Sequence, residues 1–566
     1  MGRPGYPRPA ARSRLVALPG LLALILALLA SPALAQSRLA GGMPGALPVD
    51  GVLTPDGPKI SWTDATPKFA GSVEVSRRPL GANGTASWQV IAPGLGPVQA
   101  YLDRTATDGT AWEYRVRRFG REVVDQGYWT GGRDVATPDH RGLAVLVIED
   151  AIAAPLAAEI DRFTDDLTGD GWLVRHLSSP AARDEQGPVR LLSALELKSA
   201  LRQHRADHPD GDMAIILLGR VPMVASGLVA PDGHKRMPHS TDLFYADLDQ
   251  RWPATAEGLL TPHQIPDGRI EAMIGRIDLS NMGALDRETE LDWLRDYLTR
   301  NHDWRHGRMG DLRNGYAAHA NHLFVEHHGL AAIIGKTAIT EGGHAQAGQQ
   351  GQWLFGLDFG PAGGDAYFND FSANPVFAIN FGSHKQKIAR FRNPMNALMT
   401  PPNGALAVAW GGRPAWRLHG MAMGETIGAA QMRSVNNGPA RGNDLSTTDY
   451  LPTGRYPFLH PIWGNLLGDP TLRAFPIQPP GPVTSRPEAD GQRITWQASP
   501  QPGARYRVYR LAETGPTQLL AETPDHAAGV LDPDGTEDSR YMVRTLAPLD
   551  VPAGSLMTLS QGRFTD

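Results

Sequence analysis

The chain has 566 residues, of which 41% are hydrophobic and 20% charged, and its formal net charge at pH 7 is −5. This length suggests two to four domains, with enough apolar material for sizeable cores. The small net charge provides neither the basic surface typical of nucleic-acid-binding proteins nor an acidic tail. The chain has no cysteine, which excludes disulfides, a cysteine nucleophile and thiolate metal sites.

Residues 1–35 have the pattern of a bacterial Sec-type signal peptide. Several arginines precede an apolar run from Leu15 to Leu29, and Ala33-Leu34-Ala35 supplies small residues for cleavage. Pro19 interrupts the run, which is also short for a membrane span. We therefore expect a secreted or periplasmic bacterial protein, in contact with a membrane only through this segment if it is not cleaved.

Residues 50–137 and 480–566 resemble each other. Each begins with a strand that carries a tryptophan, KISWTD around Trp62 and RITWQAS around Trp496, and each has a late strand with a tyrosine. Turns rich in Gly, Pro and Asp separate the alternating strands, as in a β-sandwich. Both segments resemble fibronectin type III domains, with the two tryptophans expected in their cores.

Strand and helix signals alternate between these segments, over residues 142–479. GLAVLVIED (Gly142–Asp150) is a continuous apolar run, which is typical of a parallel strand buried on both faces. Further strands are predicted at Trp172–Leu177, Met213–Met223, Arg269–Leu279, Gln352–Gly356, Val376–Phe381 and Ala405–Trp410, and helices at Ala154–Leu167, Leu191–Arg205 and Asp286–Arg300. We expect an α/β domain with a mostly parallel sheet and helices on both faces, which binds ligands at the carboxyl ends of its strands.

The order of motifs in this region resembles the gingipain-type (C25) peptidase domain. LLGRVPM, STDLFYADLDQRW and IGRIDLSN precede the long helix, and GALAVAWGG, GETIGAA and LLGDPTLR follow it. The resemblance covers roughly Gly142–Phe475 and implies a caspase-like fold. Family members carry a catalytic His in one loop and a Cys in the next. Here LDFGPAGGD (Leu357–Asp365) has no His and INFGSHKQK (Ile379–Lys387) has no Cys, so the fold is expected without the cysteine peptidase chemistry.

Ser383, His384 and Lys385 stand where the family has its nucleophile loop. A serine nucleophile needs a base within hydrogen-bond reach and an oxyanion hole nearby. His384 is poorly placed to serve Ser383, because adjacent side chains rarely face each other. Two other hypotheses remain open for this stretch: a Gly-Ser turn that caps the next helix, and a rim that binds a ligand.

A base from elsewhere in the chain, His419 or His344, suits Ser383 better, and Asp358 or Asp365 could orient it. The predicted catalytic residues are therefore Ser383, His384, His419 and Asp358.

The segment WGGRPAWRLHGMAMGE (Trp410–Glu425) is dense in side chains that could bind a substrate. Arg413 could form a bidentate pair of hydrogen bonds with a carboxylate or phosphate, and Trp416 could stack on a sugar or another ring. The alternative is a buried Arg–Glu pair beside a packed tryptophan. The predicted substrate-binding residues are Lys385, Arg413, Trp416, Glu425 and Asp365.

Asp242, Asp247 and Asp249 lie close together in HSTDLFYADLD, and clustered carboxylates suit a hard cation such as calcium. Hydrogen bonding within the loop and helix capping explain these aspartates equally well. HANHLFVEHHG (His319–Gly329) is rich in histidine but is not HExxH, so a histidine-rich helix face is favoured there over a zinc site. Apart from possible calcium, no cofactor is predicted.

Two functions follow from these patterns. The first is a secreted hydrolase on a gingipain-like domain, acting on a peptide or another polymer through a non-cysteine site. The second is an inactive pseudo-peptidase that binds peptide or glycan as an extracellular or periplasmic binding or adhesion protein. The resemblance favours the hydrolase. Nucleic acid and nucleotide ligands are not expected, because neither GxxxxGK[ST] nor a strand-linked GxGxxG occurs.

Overall fold

The structure of the protein is a computed structural model. It describes residues 47–63, 72–81, 87–96, 98–119, 124–180, 188–226, 239–256, 260, 269–283, 286–318, 327–342, 352–357, 375–380, 385, 387–411, 416–436, 463–512, 517–524 and 528–565. Within these ranges, no helix combines the length and apolar character that crossing a bilayer requires.

The first part of the chain is a β-sandwich. Its strands are β1 (Val49–Thr54), β2 (Gly57–Trp62), β3 (Ser72–Pro79), β4 (Gln89–Leu95), β5 (Ala100–Leu102), β6 (Trp112–Phe119) and β7 (Val124–Ala136). Strands β1, β2 and β5 form one antiparallel sheet, and β4, β3, β6 and β7 are neighbours in another. Trp62, Tyr114 and Trp129 are buried in the core that the two sheets share, as predicted for Trp62.

The central region is mixed α/β. Its strands are β8 (Gly142–Glu149), β9 (Trp172–Ser179), β10 (Asp212–Leu218), β11 (Met273–Ile277), β12 (Gly315–Ala318), β13 (Ile339–Gly342), β14 (Trp353–Leu357), β15 (Pro375–Asn380), β16 (Ala407–Trp410) and β17 (Leu466–Gly468). Its helices are α1 (Asp150–Ala153), α2 (Ala157–Gly169), α3 (Pro188–Asp207), α4 (Leu243–Ala246), α5 (Arg287–Arg305), α6 (His327–Ile334), α7 (Pro394–Ala397) and α8 (Ile427–Val435).

These ten strands form one sheet in the order β13-β12-β14-β15-β16-β17-β11-β10-β8-β9. Strands β8 to β11 pair in parallel, and so do β12 to β16, whereas β17 runs antiparallel to β16. The prediction of an α/β region with a mostly parallel sheet is therefore confirmed. The strands predicted to be buried lie at β8, β10 and β11, which are buried along almost their whole length.

Element boundaries differ from the predicted ones where local geometry ends an element. The strand predicted over Met213–Met223 stops at Leu218, because Gly219 adopts a φ of 83° and the chain turns there. The long helix begins at Arg287, where the Asp286 carboxylate accepts a 2.8 Å hydrogen bond from the Thr289 N–H. It continues to Arg305, five residues beyond the predicted end.

The last part of the chain is a second β-sandwich. Its strands are β18 (Val483–Glu488), β19 (Gly491–Trp496), β20 (Arg505–Arg510), β21 (Gln518–Thr523), β22 (Gly529–Asp532), β23 (Tyr541–Val551), β24 (Gly554–Leu559) and β25 (Arg563–Phe564). Strands β18, β19 and β22 form one sheet, and β21, β20, β23 and β24 are neighbours in the other. Trp496 lies in the core between them with Tyr506 and Val543, as predicted.

The two sandwiches share a sheet, because β7 of the first pairs in parallel with β24 of the second. Gly554 makes this pairing possible. Its φ is 143°, and a Cβ on it would lie 1.9 Å from the Gly132 carbonyl oxygen, so a larger residue does not fit. The sequence did not predict this contact, since it joins strands more than 400 residues apart.

A buried negative charge at the amino end of β9 binds several distant segments together. Asp170 is 1% exposed, and Arg473 Nη2 lies 2.6 Å from its Oδ1. Three further guanidinium groups lie within 4 Å of the same carboxylate, those of Arg141, Arg305 and Arg544. Burial disfavours the charged carboxylate, but the four cations outweigh it and hold the pKa of Asp170 below its ordinary value.

We expect Asp170→Asn to destabilise the protein by about 3–5 kcal/mol, because it removes the negative charge shared by four buried guanidinium groups, of which Arg305 keeps a second partner in Asp469. The pKa of Asp170 is lowered on folding, so its contribution is present above the unfolded pKa of about 3.9 and is lost as pH falls. Urea unfolding of the wild type and of Asp170→Asn, at pH values above and below this pKa, measures the difference between their free energies of unfolding.

The matched control for this experiment is Asp292→Asn, which removes an exposed carboxylate paired with Arg295. Exposed pairs contribute about 0–1 kcal/mol, so this variant should unfold nearly as the wild type does. Equal stability of the two variants would contradict the role given to Asp170.

Candidate functional site

The carboxyl end of β15 is the place where the sequence predicts the active site. Lys385 is fully buried there, and its carbonyl oxygen accepts a 2.7 Å hydrogen bond from Asn393 Nδ2. The buried position of Lys385 differs from the exposed substrate-binding position that was predicted. The remaining predicted residues of this region, Ser383, His384, Asp358, Asp365 and Arg413, lie outside the described residues, as do His344 and the side chains of the histidine-rich segment 319–328.

The loops that follow β11 and β15 meet. Asn281 Nδ2 donates 2.8 Å hydrogen bonds to the carbonyl oxygens of Ile388 and Arg390. Asn396 Nδ2 donates in turn to the Asp278 carbonyl oxygen at 2.8 Å. These amide contacts hold the segment that follows β15 against the segment that follows β11, and β16 and β17 lie between these two strands in the sheet.

His419 lies in a packed interface rather than in an open cleft. It is 2% exposed, and its Nε2 is 2.8 Å from Oε1 of Glu113, a residue of β6 in the first β-sandwich. Its ring stacks on Tyr128, and Arg78 donates a 2.7 Å hydrogen bond to the other oxygen of Glu113. Burial lowers the pKa of His419, so the ring is neutral at pH 7. These contacts join the α/β region to the sandwich and keep the ring away from solvent. The predicted role of His419 as a catalytic base would require a ring that a substrate can reach.

Two other predicted substrate-binding residues of this segment, Trp416 and Glu425, are also engaged within the protein, with Trp416 buried and Glu425 partly buried. Trp416 is 1% exposed and donates from Nε1 to the Trp410 carbonyl oxygen at 3.0 Å. Both oxygens of Glu425 accept hydrogen bonds from Arg433, at 2.7 and 2.5 Å. The alternative of an Arg–Glu pair beside a packed tryptophan describes this arrangement, although the arginine is Arg433 of α8.

The three aspartates predicted as a calcium site separate into two groups. Asp242 makes two hydrogen bonds with the buried Arg276 guanidinium, at 2.7 and 2.8 Å, and is not part of a carboxylate cluster. Asp247 and Asp249 instead come together with Glu271, which the sequence reasoning did not include. Asp242 is therefore an ion-pair residue and not a calcium ligand as predicted, because both of its oxygens accept hydrogen bonds from the Arg276 guanidinium.

A lysine ammonium lies beside the Asp247 group, which comprises Asp247, Asp249 and Glu271. This lysine is Lys198, whose ammonium lies 3.1 Å from the Gln250 carbonyl oxygen and over the Phe244 ring. Burial raises the pKa of Asp247 to about 6, although Lys198 opposes the shift. An ammonium in this position provides much of the charge that a calcium ion would provide. Calcium binding at this group stays a prediction.

A groove of about 860 Å³ lies beside the edge strand β9. One wall is the end of α2, the other is the turn of residues 207–210 before β10, and residues 536–540 of the second sandwich close one end. Asp165 of α2 and Arg540 of the sandwich form a 3.9 Å ion pair across it. The lining includes Trp172–Arg175, which are the first half of the edge strand β9, and residues at the amino ends of β8 and β10.

The outward backbone groups of β9 face this groove. The Gly171 carbonyl oxygen accepts from the Arg141 N–H at 2.9 Å, and the direction of these groups alternates along a strand. The N–H and C=O of Val174 therefore point away from β8, as do those of Trp172 and His176. In agreement, the Arg175 side chain donates a 2.9 Å hydrogen bond to the Val174 carbonyl oxygen.

The groove has more acidic than basic side chains. Its lining includes four aspartates and two arginines, namely Asp165, Asp207, Asp210, Asp538, Arg175 and Arg540. The sequence reasoning missed the groove because its residues come from six separate stretches of the chain. Only the turn signal HPDGD (208–212), which places carboxylates directly before a buried strand, pointed toward this region.

No known family model matches this chain, and no curated protein is similar to it in sequence. A pectate lyase from Pectobacterium carotovorum is 14% identical over 18% of this chain and 34% of its own, with a TM-score of 0.14. An Fn3-like protein from Clostridium thermocellum is 18% identical over 16% of this chain and 94% of its own, with a TM-score of 0.12. A spore cortex lytic enzyme from Clostridium perfringens is 10% identical over 73% of this chain and 84% of its own, also with a TM-score of 0.12. The matched part spans about a third of the pectate lyases, and TM-scores this low assign neither a family nor a function.

Proposed function

We propose that this protein is an extracytoplasmic polypeptide-binding protein whose ligand adds to the open edge of β9. The observation that carries the proposal is the groove along that strand, with backbone hydrogen-bonding groups on its floor and carboxylates on its walls. Strand addition of this kind takes its affinity from main-chain hydrogen bonds and its specificity from pockets for alternate side chains.

The architecture is compatible with a gingipain-like origin of the binding domain. The ten-stranded sheet, with a long helix after β11, fits the resemblance in the motif order, and the three-plus-four strand sandwiches fit the resemblance to fibronectin type III domains. Since the chain has no cysteine, the family's nucleophile is missing. A relative of this type can keep its fold while its function becomes binding.

The groove favours a basic ligand. Asp210 lies in the turn that forms one wall and Asp538 in the segment that closes one end, and both are exposed, so both carboxylates are available to an extended chain in the groove. Arg540 is engaged with Asp165, and Arg175 is engaged with the Val174 carbonyl oxygen. An extended segment with alternating Lys or Arg side chains would complement this charge. A glycan is the other ligand class suggested by the sequence, and it would not use the edge of β9.

Hydrolysis is less well supported. A serine nucleophile requires a base with a free imidazole nitrogen at the reacting centre. His419, the predicted base, is buried against Glu113 and Tyr128. Under the binding proposal, Ser383 is not a nucleophile, and His419 is a packing residue.

Binding can be tested with two labelled decapeptides, (Lys-Val)5 and (Glu-Val)5. We expect the full chain to bind the lysine peptide in preference, and the double variant Asp210→Lys/Asp538→Lys to weaken that binding about tenfold or more, because it replaces attraction by repulsion. Fluorescence anisotropy at low salt measures both affinities. Val174→Pro should also weaken binding, because proline removes an outward N–H while leaving the pairing with β8 intact.

Asp292→Lys is the control, since it makes the same charge change on an exposed residue outside the groove. It should bind the lysine peptide as the wild type does. Failure of both peptides to bind, an equal loss in the control, or retention of oligosaccharides in place of peptides would each overturn the proposal.

Ser383→Ala addresses the hydrolase directly. We expect the purified wild type and this variant to leave unfolded casein and a fluorogenic peptide library equally intact, because the site lacks the family's cysteine. Mass spectrometry of the products detects any cleavage. Cleavage by the wild type that disappears in the variant would establish the serine hydrolase instead.

His419→Ala should lower the free energy of unfolding by about 2–3 kcal/mol, because it removes a hydrogen bond to the buried Glu113 carboxylate. The affinity of the folded variant for the lysine peptide should not change. His204→Ala, which removes a partly exposed imidazole on α3, should leave stability nearly unchanged. Loss of peptide binding without loss of stability would place His419 in the ligand site after all.

A further inference from the structure

Two histidines and an aspartate converge where α2 packs on α5. Asp166 lies on α2, His302 lies in the last turn of α5, and His306 follows the end of that helix. The His306 N–H donates to the His302 carbonyl oxygen at 3.1 Å, so the helical spacing extends to His306. Residues four apart on a helix share a face, and both imidazoles therefore point toward α2.

The three side chains meet at short range. His302 Nδ1 lies 2.8 Å from Asp166 Oδ2, and His306 Nε2 lies 2.9 Å from Asp166 Oδ1. The two imidazole centroids are 4.1 Å apart, and one donor atom from each of the three residues lies within 4.8 Å of the others. Asp166 and His306 are buried, whereas the His302 side chain is 12% exposed and provides access from solvent.

We propose that Asp166, His302 and His306 bind a divalent cation of intermediate softness, with water as a further ligand. Zn²⁺ is the main candidate. Two imidazole nitrogens and one carboxylate oxygen are a common donor set for zinc. Harder cations such as Ca²⁺ and Mg²⁺ prefer sites made of oxygen ligands. This site is independent of the proposed function and of the Asp247 group.

The protonation states of His306 and Asp166 suit metal binding at neutral pH. Burial lowers the pKa of His306, so that its ring is neutral at pH 7. Burial disfavours the Asp166 carboxylate, but the hydrogen bonds from His302 and His306 outweigh it and lower its pKa to about 2. An ionised carboxylate and a neutral imidazole are the forms that bind metal.

The surroundings both support the site and limit its affinity. Gln561 donates from Nε2 to the Asp166 carbonyl oxygen, and Gly562 N–H donates to the Gly169 carbonyl oxygen at 3.0 Å, so the end of the chain is fastened to α2 beside the cluster. The guanidinium groups of Arg305 and Arg563 act on the same residues and oppose an added cation. A bound metal would connect α2 with the end of α5.

The alternative is a cluster held by hydrogen bonds alone, in which both imidazoles donate to Asp166. His306 Nδ1 is then a buried nitrogen without a hydrogen-bond partner among the described residues, which is a modest cost in either case. The double variant His302→Gln/His306→Gln separates the two ideas. Glutamine can still donate a hydrogen bond to Asp166, but it is a poor ligand for zinc.

The test uses the untagged full chain after removal of metals with a chelator. Calorimetric titration with ZnCl₂ should give one bound ion per chain, and zinc should raise the melting temperature. The double glutamine variant and Asp166→Asn should each weaken zinc binding about tenfold or more. Co²⁺ should give the visible absorption of a tetrahedral site in the wild type and not in the variants.

The controls are His204→Ala and the pair Asp247→Asn/Asp249→Asn, which should bind zinc as the wild type does. Binding should also weaken as pH falls, because protons compete for both imidazoles. Absence of zinc binding by the wild type, or equal binding by the double glutamine variant, would overturn the site and leave a hydrogen-bonded cluster. Far-UV circular dichroism confirms that each variant is folded, and Asp166→Asn decides the question if the glutamine variant is not.

Discussion

One buried carboxylate, that of Asp170, carries the negative charge on which four guanidinium groups depend. Those groups belong to the segment before β8, the end of α5, the segment after β17 and strand β23. Arg305 has a second buried partner, the Asp469 carboxylate at 2.5 Å. A buried cation without a partner is strongly unfavourable, so the ionised carboxylate of Asp170 stabilises these segments in their positions. This constraint explains how the second sandwich, the long helix and the edge of the large sheet come to occupy one region of the molecule.

The same principle governs the contact between the first sandwich and the α/β region. Glu113 is 1% exposed and accepts from Arg78 of its own sandwich and from His419 of the α/β region. The β7–β24 pairing then joins the two sandwiches through their backbones. Side chains with catalytic potential are therefore used for packing between regions, whereas the groove beside β9 is open and chemically mixed.

Helix α2 lies between the two sites inferred from the structure. Asp165 lines the groove, while the next residue, Asp166, faces α5 and its two histidines. A metal ion at the histidine cluster would hold α2 against α5, and with α2 one wall of the groove. Strand addition needs a rigid edge, because a ligand that must first order its receptor binds less tightly. The two proposals remain separate, since each depends on its own residues.

The sequence by itself determined the local structure. Continuous apolar runs specified β8, β10 and β15, a helical stripe specified α5, and Trp62 and Trp496 were assigned to cores, because these features depend on the periodicity of side chains along a few residues. Only the tertiary structure decided which charges meet. His419 with Glu113, Asp242 with Arg276, and Asp166 with His302 join residues between 34 and 306 positions apart. Ion pairs and hydrogen bonds act over a few ångströms of space, and distance along the chain carries no information about them.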